Sequence, residues 1–278
     1  MPSILMRFPE GKSKALTLSY DDGVRQDKRL LEIMKKHGLK GTFNLNSECY
    51  APEDSSEGRR LSRSQAIELF RDSGMEIAVH GAHHPRLEQM PENLCAWEIL
   101  HDRKNLEADF GGFVRGMAYP FGTTSDSVVA TLKQCGIVYA RTVVCTEEFA
   151  VPTDWLRLPA TCHHSNPRLM ELAETFVQKQ KVGSPMLFYL WGHSYEFDYD
   201  RPNNNWGIIE AFAEYVGGRE DIWYATNIEI FDYISAYNRL IFNMDYTQVY
   251  NPSCTTLYFK TAQGAYHVGP GETAKFEF

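Results

Sequence analysis

Two stretches hold the residues best able to do chemistry. In Ser19-Tyr20-Asp21-Asp22-Gly23, two carboxylates stand side by side at the end of an apolar run, KALTLSY. In Val79-His80-Gly81-Ala82-His83-His84-Pro85, three histidines follow a second apolar run, MEIAV. Adjacent like charges repel, and a glycine after them marks a sharp turn of the backbone. A solvated turn accounts for Asp-Gly alone, and a histidine cluster alone is more often surface or satisfied core. Together they match a divalent-metal site: imidazoles three to four residues apart plus one carboxylate, with positions left for water.

Such groups need a scaffold that brings them together, and the rest of the chain supplies one. Strand-like and helix-like segments alternate. KALTLSY (14 to 20), KGTFNLNS (40 to 47), MEIAVH (75 to 80), FVRGMAYP (113 to 120), GIVYAR, SPMLFYLWGH (184 to 193) and DIWYAT read as extended. Between them the spacing predicts helices: RQDKRLLEIMKKHG, Ser62 to Gly74 with a Ser62/Gln65 capping box, 91 to 110, and Asp126 to Cys135. Further helices are predicted over Asn166 to Lys181, Asn205 to Val216, and from a Thr226/Glu229 cap to about Leu240. This alternation predicts an α/β fold with a parallel sheet closed as a barrel, whose working residues sit at the carboxyl ends of the strands. Asp21, Asp22 and His80 all fall at such ends. From 243 to 278 the pattern changes to short strands separated by NPS, AQG and GPGE turns. The expected organisation is therefore a catalytic barrel over 1–242 and a small β-hairpin appendage over 243–278. Packing is the favoured role for the appendage, ahead of a carbohydrate-binding patch or a lid.

Composition narrows the class. The chain has 278 residues and is 43% hydrophobic, enough for one large domain with an appendage. A formal net charge of -8 disfavours a nucleic-acid partner. Six scattered cysteines with no C-x-x-C pair read as free thiols in a reducing compartment. No apolar run approaches the roughly 18 residues that span a bilayer, and the N-terminus lacks the apolar core of a secretion signal. The expectation is a cytoplasmic protein with no membrane partner.

The two motifs resemble those of the polysaccharide deacetylases of the NodB-homology type, a carbohydrate esterase family. Its T-F-D-D-G motif stands here as Ser19-Tyr20-Asp21-Asp22-Gly23. Its H-[ST]-x-x-H motif stands as His80-Gly81-Ala82-His83-His84, followed by Pro85. The resemblance spans about residues 14 to 235. It implies a distorted (β/α) barrel, one divalent metal ion (zinc foremost, with cobalt, nickel or manganese also accepted), and hydrolysis of acetyl groups from acetylated sugars. By position, Asp22, His80 and His84 would be the metal ligands and Asp21 the general base. A metal ion acidifies water and a free carboxylate takes the proton, which gives each aspartate its own task.

The same resemblance implies further roles. Tyr119-Pro120-Phe121-Gly122 matches the end of R-x-P-[YF]-G, so the Phe121 N–H would help hold the oxyanion and Tyr119 would line the substrate pocket. The motif's arginine is displaced. Arg115 is the nearest, with Arg141 and Arg157 as other candidates to steady Asp21. LFYLWGH supplies Leu190 and Trp191 to the pocket, and His193 as the acid for the leaving group. Asp154 would orient the catalytic histidine, and Trp155 and His164 would contact substrate. His163 and Trp206 are weaker candidates for substrate contact, and His83 for a supporting role. Two alternatives remain at this point: an amidohydrolase acting on a small cyclic amide, and a catalytically silent carbohydrate-binding relative. The absence of an export signal points to a soluble oligosaccharide or an amino-sugar fragment as substrate.

Overall fold

A computed structural model describes residues 3–53, 55, 57–179 and 183–277. Fifteen strands occur among these residues: β1 (Leu5–Arg7), β2 (Lys14–Asp21), β3 (Gly41–Leu45), β4 (Glu76–Val79), β5 (Gly116–Ala118), β6 (Tyr139–Cys145), β7 (Leu158–Ala160), β8 (Cys162–His163), β9 (Met186–Gly192), β10 (Ile222–Tyr224), β11 (Ile241–Phe242), β12 (Gln248–Tyr250), β13 (Leu257–Lys260), β14 (Ala265–Val268) and β15 (Thr273–Lys275). The helices are α1 (Asp27–Lys36), α2 (Arg63–Phe70), α3 (Glu92–Phe110), α4 (Asp126–Gln134), α5 (Leu169–Gln178), α6 (Trp206–Val216) and α7 (Asn227–Tyr237). The expected helix over Asn166 to Lys181 is observed as α5. Its expected end at 180–181 lies outside the described residues, as do positions 1–2 and 278 of the expected domain limits.

One parallel sheet runs β7-β6-β5-β4-β3-β2-β9-β8, with β10 paired to the first half of β2. β7 and β8 are two halves of one stretch, interrupted at Thr161. The first half pairs with β6 and the second with β9. The Thr161 N–H donates to the Tyr189 carbonyl at 2.9 Å. The sheet thus curls until one segment of chain joins its two ends, as the expected barrel requires.

Strand alternation sorts the side chains. On β2, Leu16, Leu18 and Tyr20 pack outward in one apolar cluster with Leu30, Leu31 and Met34 of α1. Ala15 belongs to a different cluster, with Tyr139, Leu187, Tyr189 and Trp191. Odd positions of β2, β6 and β9 therefore face the barrel interior. That file carries Asp21, Arg141 and, one step past β9, His193 toward the same end of the barrel.

The interior cluster continues through Ile230, Tyr233 and Ile234 of α7 into Val249, Leu257, Phe259 and Val268. The C-terminal stretch forms two three-stranded antiparallel sheets, β11-β12-β15 and β1-β13-β14. The second recruits the N-terminal strand β1, which the sequence pattern did not mark. All six cysteines are free. No described helix is long and apolar enough to cross a membrane.

Candidate active site

Asp21 ends the inner file of β2 and is almost completely buried. Its Oδ1 accepts from Asn44 Nδ2 at 2.8 Å and from Arg141 Nη2 at 2.6 Å, and the same guanidinium nitrogen also reaches Oδ2. Register explains the first bond, because Asn44 lies opposite Asp21 on β3. Burial alone would raise the Asp21 carboxyl. Arg141, with His80 and His193, more than offsets this and holds it at about 2.

Asp22 leaves the strand with a φ of 87°, a left-handed conformation that aspartate tolerates better than most residues. The turn swings its carboxylate away from that of Asp21. Arg60 donates to it from the side, Nη2 to Oδ1 at 3.0 Å. His80 Nε2 lies 4.0 Å and His84 Nε2 3.9 Å from Asp22 Oδ1. One donor atom from each of Asp22, His80 and His84 falls within 4.8 Å of the others.

Supporting bonds aim both imidazoles. His80 Nδ1 lies 2.8 Å from the Ala118 carbonyl, so Nδ1 carries the proton and Nε2 presents its lone pair. The His80 N–H donates to Asp102 Oδ2 at 3.0 Å, and Asn46 Nδ2 donates to the His80 carbonyl at 2.6 Å. His84 has a φ of 56°, closing the loop that returns its ring to within 4.7 Å of the His80 ring. Burial lowers the pKa of His80, and burial with the His80 charge holds His84 down at about 4. Two neutral imidazoles and a carboxylate are the donor set a zinc-like cation prefers, so the residues present fit the metal that the motifs imply.

His193 caps the turn after β9. Its Nε2 lies 3.9 Å from Asp21 Oδ2 and its Nδ1 3.3 Å from Glu196 Oε1. Burial lowers its pKa, but the Glu196 and Asp21 carboxylates outweigh burial, and the net shift is upward. Phe121 stands at φ 60° with its ring 4.6 Å from His84.

Residues 9–140 match the family model described as polysaccharide deacetylase. Those residues make up a little under half of the chain, and the match supports kinship with that family. Among solved structures, it resembles a Mycobacterium smegmatis protein assigned to the polysaccharide deacetylases, at 17% identity over 86% of this chain and 96% of that one, with a TM-score of 0.57. It also resembles the Xyl-CE4 domain of a multidomain xylanase from the hindgut metagenome of Trinervitermes trinervoides, at 12% identity over 80% and 92% of the two chains, with a TM-score of 0.50. A Streptococcus pyogenes deacetylase, PplD, solved in complex with acetate, matches at 20% identity with a TM-score of 0.45; the match covers 51% of this chain and 61% of that one. Such identities show the fold alone. No curated protein matches.

Several residues singled out by the deacetylase motifs lie elsewhere. Arg115 pairs with Asp232 on α7, outside the site, and Arg141 takes the place beside Asp21. Arg157 pairs with Asp126 and Asp154. Asp154 caps the short turn before β7, accepting from the Leu156 N–H at 3.1 Å, and Glu196 is the carboxylate that meets His193. Trp155 packs edge-on against Phe231 of α7. Leu190 points outward into the helix-facing cluster, because it alternates with the inward Tyr189 and Trp191. Tyr119 is buried, its hydroxyl donating to the Leu156 carbonyl at 2.7 Å. Trp206 donates to Asp198 at 2.8 Å, and His83 Nδ1 lies 2.8 Å from Glu98 Oε1.

Two of the expected pocket residues do come close. Trp191 lies beneath the Arg141 guanidinium at 4.4 Å, and His164 is buried with Nε2 2.9 Å from Glu196 Oε2. Sequence reasoning assigned no role to Asn44, Arg60, Asn46, Asp102 or Glu196. Of these, only Glu196 carried a short-range signal, three residues after His193.

Proposed function

We propose that this protein is a polysaccharide deacetylase, a metal-dependent hydrolase that removes acetyl groups from acetylated sugars. The observation that carries the reading is the convergence of Asp22, His80 and His84 donor atoms within 4.8 Å, beside Asp21 and His193. Asp22, His80 and His84 would hold one divalent ion, zinc foremost. When bound, that ion supplies Lewis acidity, making water acidic enough for a carboxylate as weakly basic as Asp21 to take its proton.

The chain's own groups divide the remaining work. Asp21, kept ionised by Arg141 and Asn44, accepts the proton of the attacking water. The Phe121 N–H, at the turn beside His84, is the donor assigned to the developing oxyanion. His193, held protonated to higher pH by Glu196 and Asp21, delivers a proton to the leaving nitrogen or oxygen. Trp191 closes the floor beneath Arg141.

Acetate release from a panel of N- and O-acetylated mono- and oligosaccharides, with zinc, cobalt, nickel or manganese added to metal-stripped protein, tests the reading. Metal-dependent acetate release from at least one sugar supports it. Stoichiometric metal binding with no acetate from any sugar would refute it.

A further inference from the structure

We propose that His163, His193 and Glu196 form a second site for a late first-row divalent cation such as zinc, nickel or copper, next to the first. One donor atom from each of the three residues lies within 4.8 Å of the others. His163 Nε2 is 3.3 Å from Glu196 Oε2, and His193 Nδ1 is 3.3 Å from Glu196 Oε1. Two imidazoles and a carboxylate repeat the donor chemistry of Asp22, His80 and His84 on a separate set of residues.

Neighbours orient each donor. Ser165 holds the His163 ring, its N–H donating to Nδ1 at 3.2 Å and its Oγ lying 2.7 Å from the same nitrogen; a cation on Nε2 would move the ring proton to Nδ1, with Ser165 Oγ as its acceptor. His164, fully buried, donates from Nε2 to Glu196 Oε2 at 2.9 Å and anchors the carboxylate. His164 is itself wedged in place, since a Cβ at Gly192 would stand 2.1 Å from its Nδ1. His193 Nδ1, buried, has a 3.3 Å neighbour in Glu196 but no hydrogen bond of adequate direction.

One consequence rests on the deacetylase reading. His193 Nε2 faces Asp21 while Nδ1 faces Glu196. A cation on Nδ1 replaces the second proton of the imidazolium. His193 then keeps only its Nε2 proton and loses the charged form that donates readily. The second equivalent of cation therefore suppresses turnover that the first equivalent supports.

Zinc chloride titrated into the metal-stripped full chain, followed by calorimetry and native mass spectrometry, tests the site. The expected stoichiometry is two for the wild type, one for His163→Ala, one for Asp22→Ala, and none for the double variant. Should His163→Ala fold poorly, Glu196→Gln keeps the side chain's shape and is expected to lose the same equivalent. A wild-type stoichiometry of one that Asp22→Ala abolishes overturns the second site, as does full retention of two equivalents in His163→Ala. A single equivalent that survives Asp22→Ala and disappears in His163→Ala supports the second site and overturns the metal assignment of the first. Acetate release should rise and then fall with zinc in the wild type, and rise without the fall in His163→Ala. A fall that persists in the variant overturns the inhibitory role.

Discussion

The Arg141 guanidinium meets the Asp21 carboxylate inside the barrel, Nη2 to Oδ1 at 2.6 Å, with both side chains almost wholly withdrawn from water. The two lie on β6 and β2, which are not neighbours in the sheet. They meet because both occupy the inner file, Asp21 at the carboxyl end of β2 and Arg141 level with Ala118 at the carboxyl end of β5. The guanidinium sits over Trp191, which removes water from one face and strengthens the pairing.

Breaking a buried pair by removing one partner leaves an uncompensated charge, at a cost of about 3–5 kcal/mol. Arg141→Met is therefore expected to lower the urea midpoint strongly at neutral pH. The sign in pH follows from Asp21, held at about 2 against an ordinary 3.8. A depressed carboxyl contributes stability above its unfolded value and loses it as pH falls through the folded value. The gap between wild type and variant should thus narrow between about pH 4 and pH 2. Equal midpoints at neutral pH would show that the pair contributes nothing.

Glu196 is expected to set the alkaline limb of the rate profile. The Glu196 and Asp21 carboxylates outweigh burial and raise His193. A raised acid stays protonated to higher pH and loses its proton as pH passes the folded pKa. Glu196→Gln removes one of the stabilising charges, so the alkaline limb of kcat should move to lower pH. Asn at 196 would shorten the side chain and confuse the reading, so Gln is the informative variant. A limb that stays in place in Glu196→Gln would detach Glu196 from proton delivery.

Gly192 is a packing requirement. A Cβ there would stand 2.1 Å from His164 Nδ1 and 2.4 Å from Cε1, far inside contact distance. Overpacking a well-filled core costs about 1–3 kcal/mol. Gly192→Ala should destabilise by that order, and adding His164→Ala should restore part of the loss because it opens the space. A double-mutant cycle in urea checks the coupling. Additive losses would place the strain elsewhere.

The site was legible where its signal was local. Asp21, Asp22, His80 and His84 lie within short motifs, and His193 ends a readable strand. Residues that meet only through the barrel were not. Arg141, one of three candidate arginines in the sequence, reaches Asp21 across the interior, whereas Arg115, the nearest to the motif, lies just before β5 and pairs with Asp232. Asp154 suggested a histidine partner, but its place before a short turn commits it to a backbone N–H. The inner file itself was readable in principle. Tyr139 and Arg141 alternate with the outward Ala140, as Tyr189 and Trp191 alternate with Leu190. Applying that alternation would have removed Leu190 from the pocket and placed Arg141 in it. β1, which joins β13 from the far end of the chain, has no local cue for its partner.

The two neighbouring aspartates should fail in different ways. Asp22 faces His80 and His84, and Asp21 faces Arg141, Asn44 and His193. The left-handed turn at Asp22 is what separates their directions. Asp22→Ala removes an anionic donor, so occupancy of the first site should be lost and turnover with it. Asp21→Asn keeps the size and the bond to Arg141's neighbourhood but removes the basic lone pair. Occupancy should persist while kcat falls by roughly 10²–10⁴, the usual worth of a positioned general base. Calorimetry of zinc binding beside steady-state rates separates the two. If Asp21→Asn loses zinc and Asp22→Ala retains it in the first site, the roles are exchanged. If both variants keep zinc and full turnover, the pair is a structural turn and the hydrolytic reading fails.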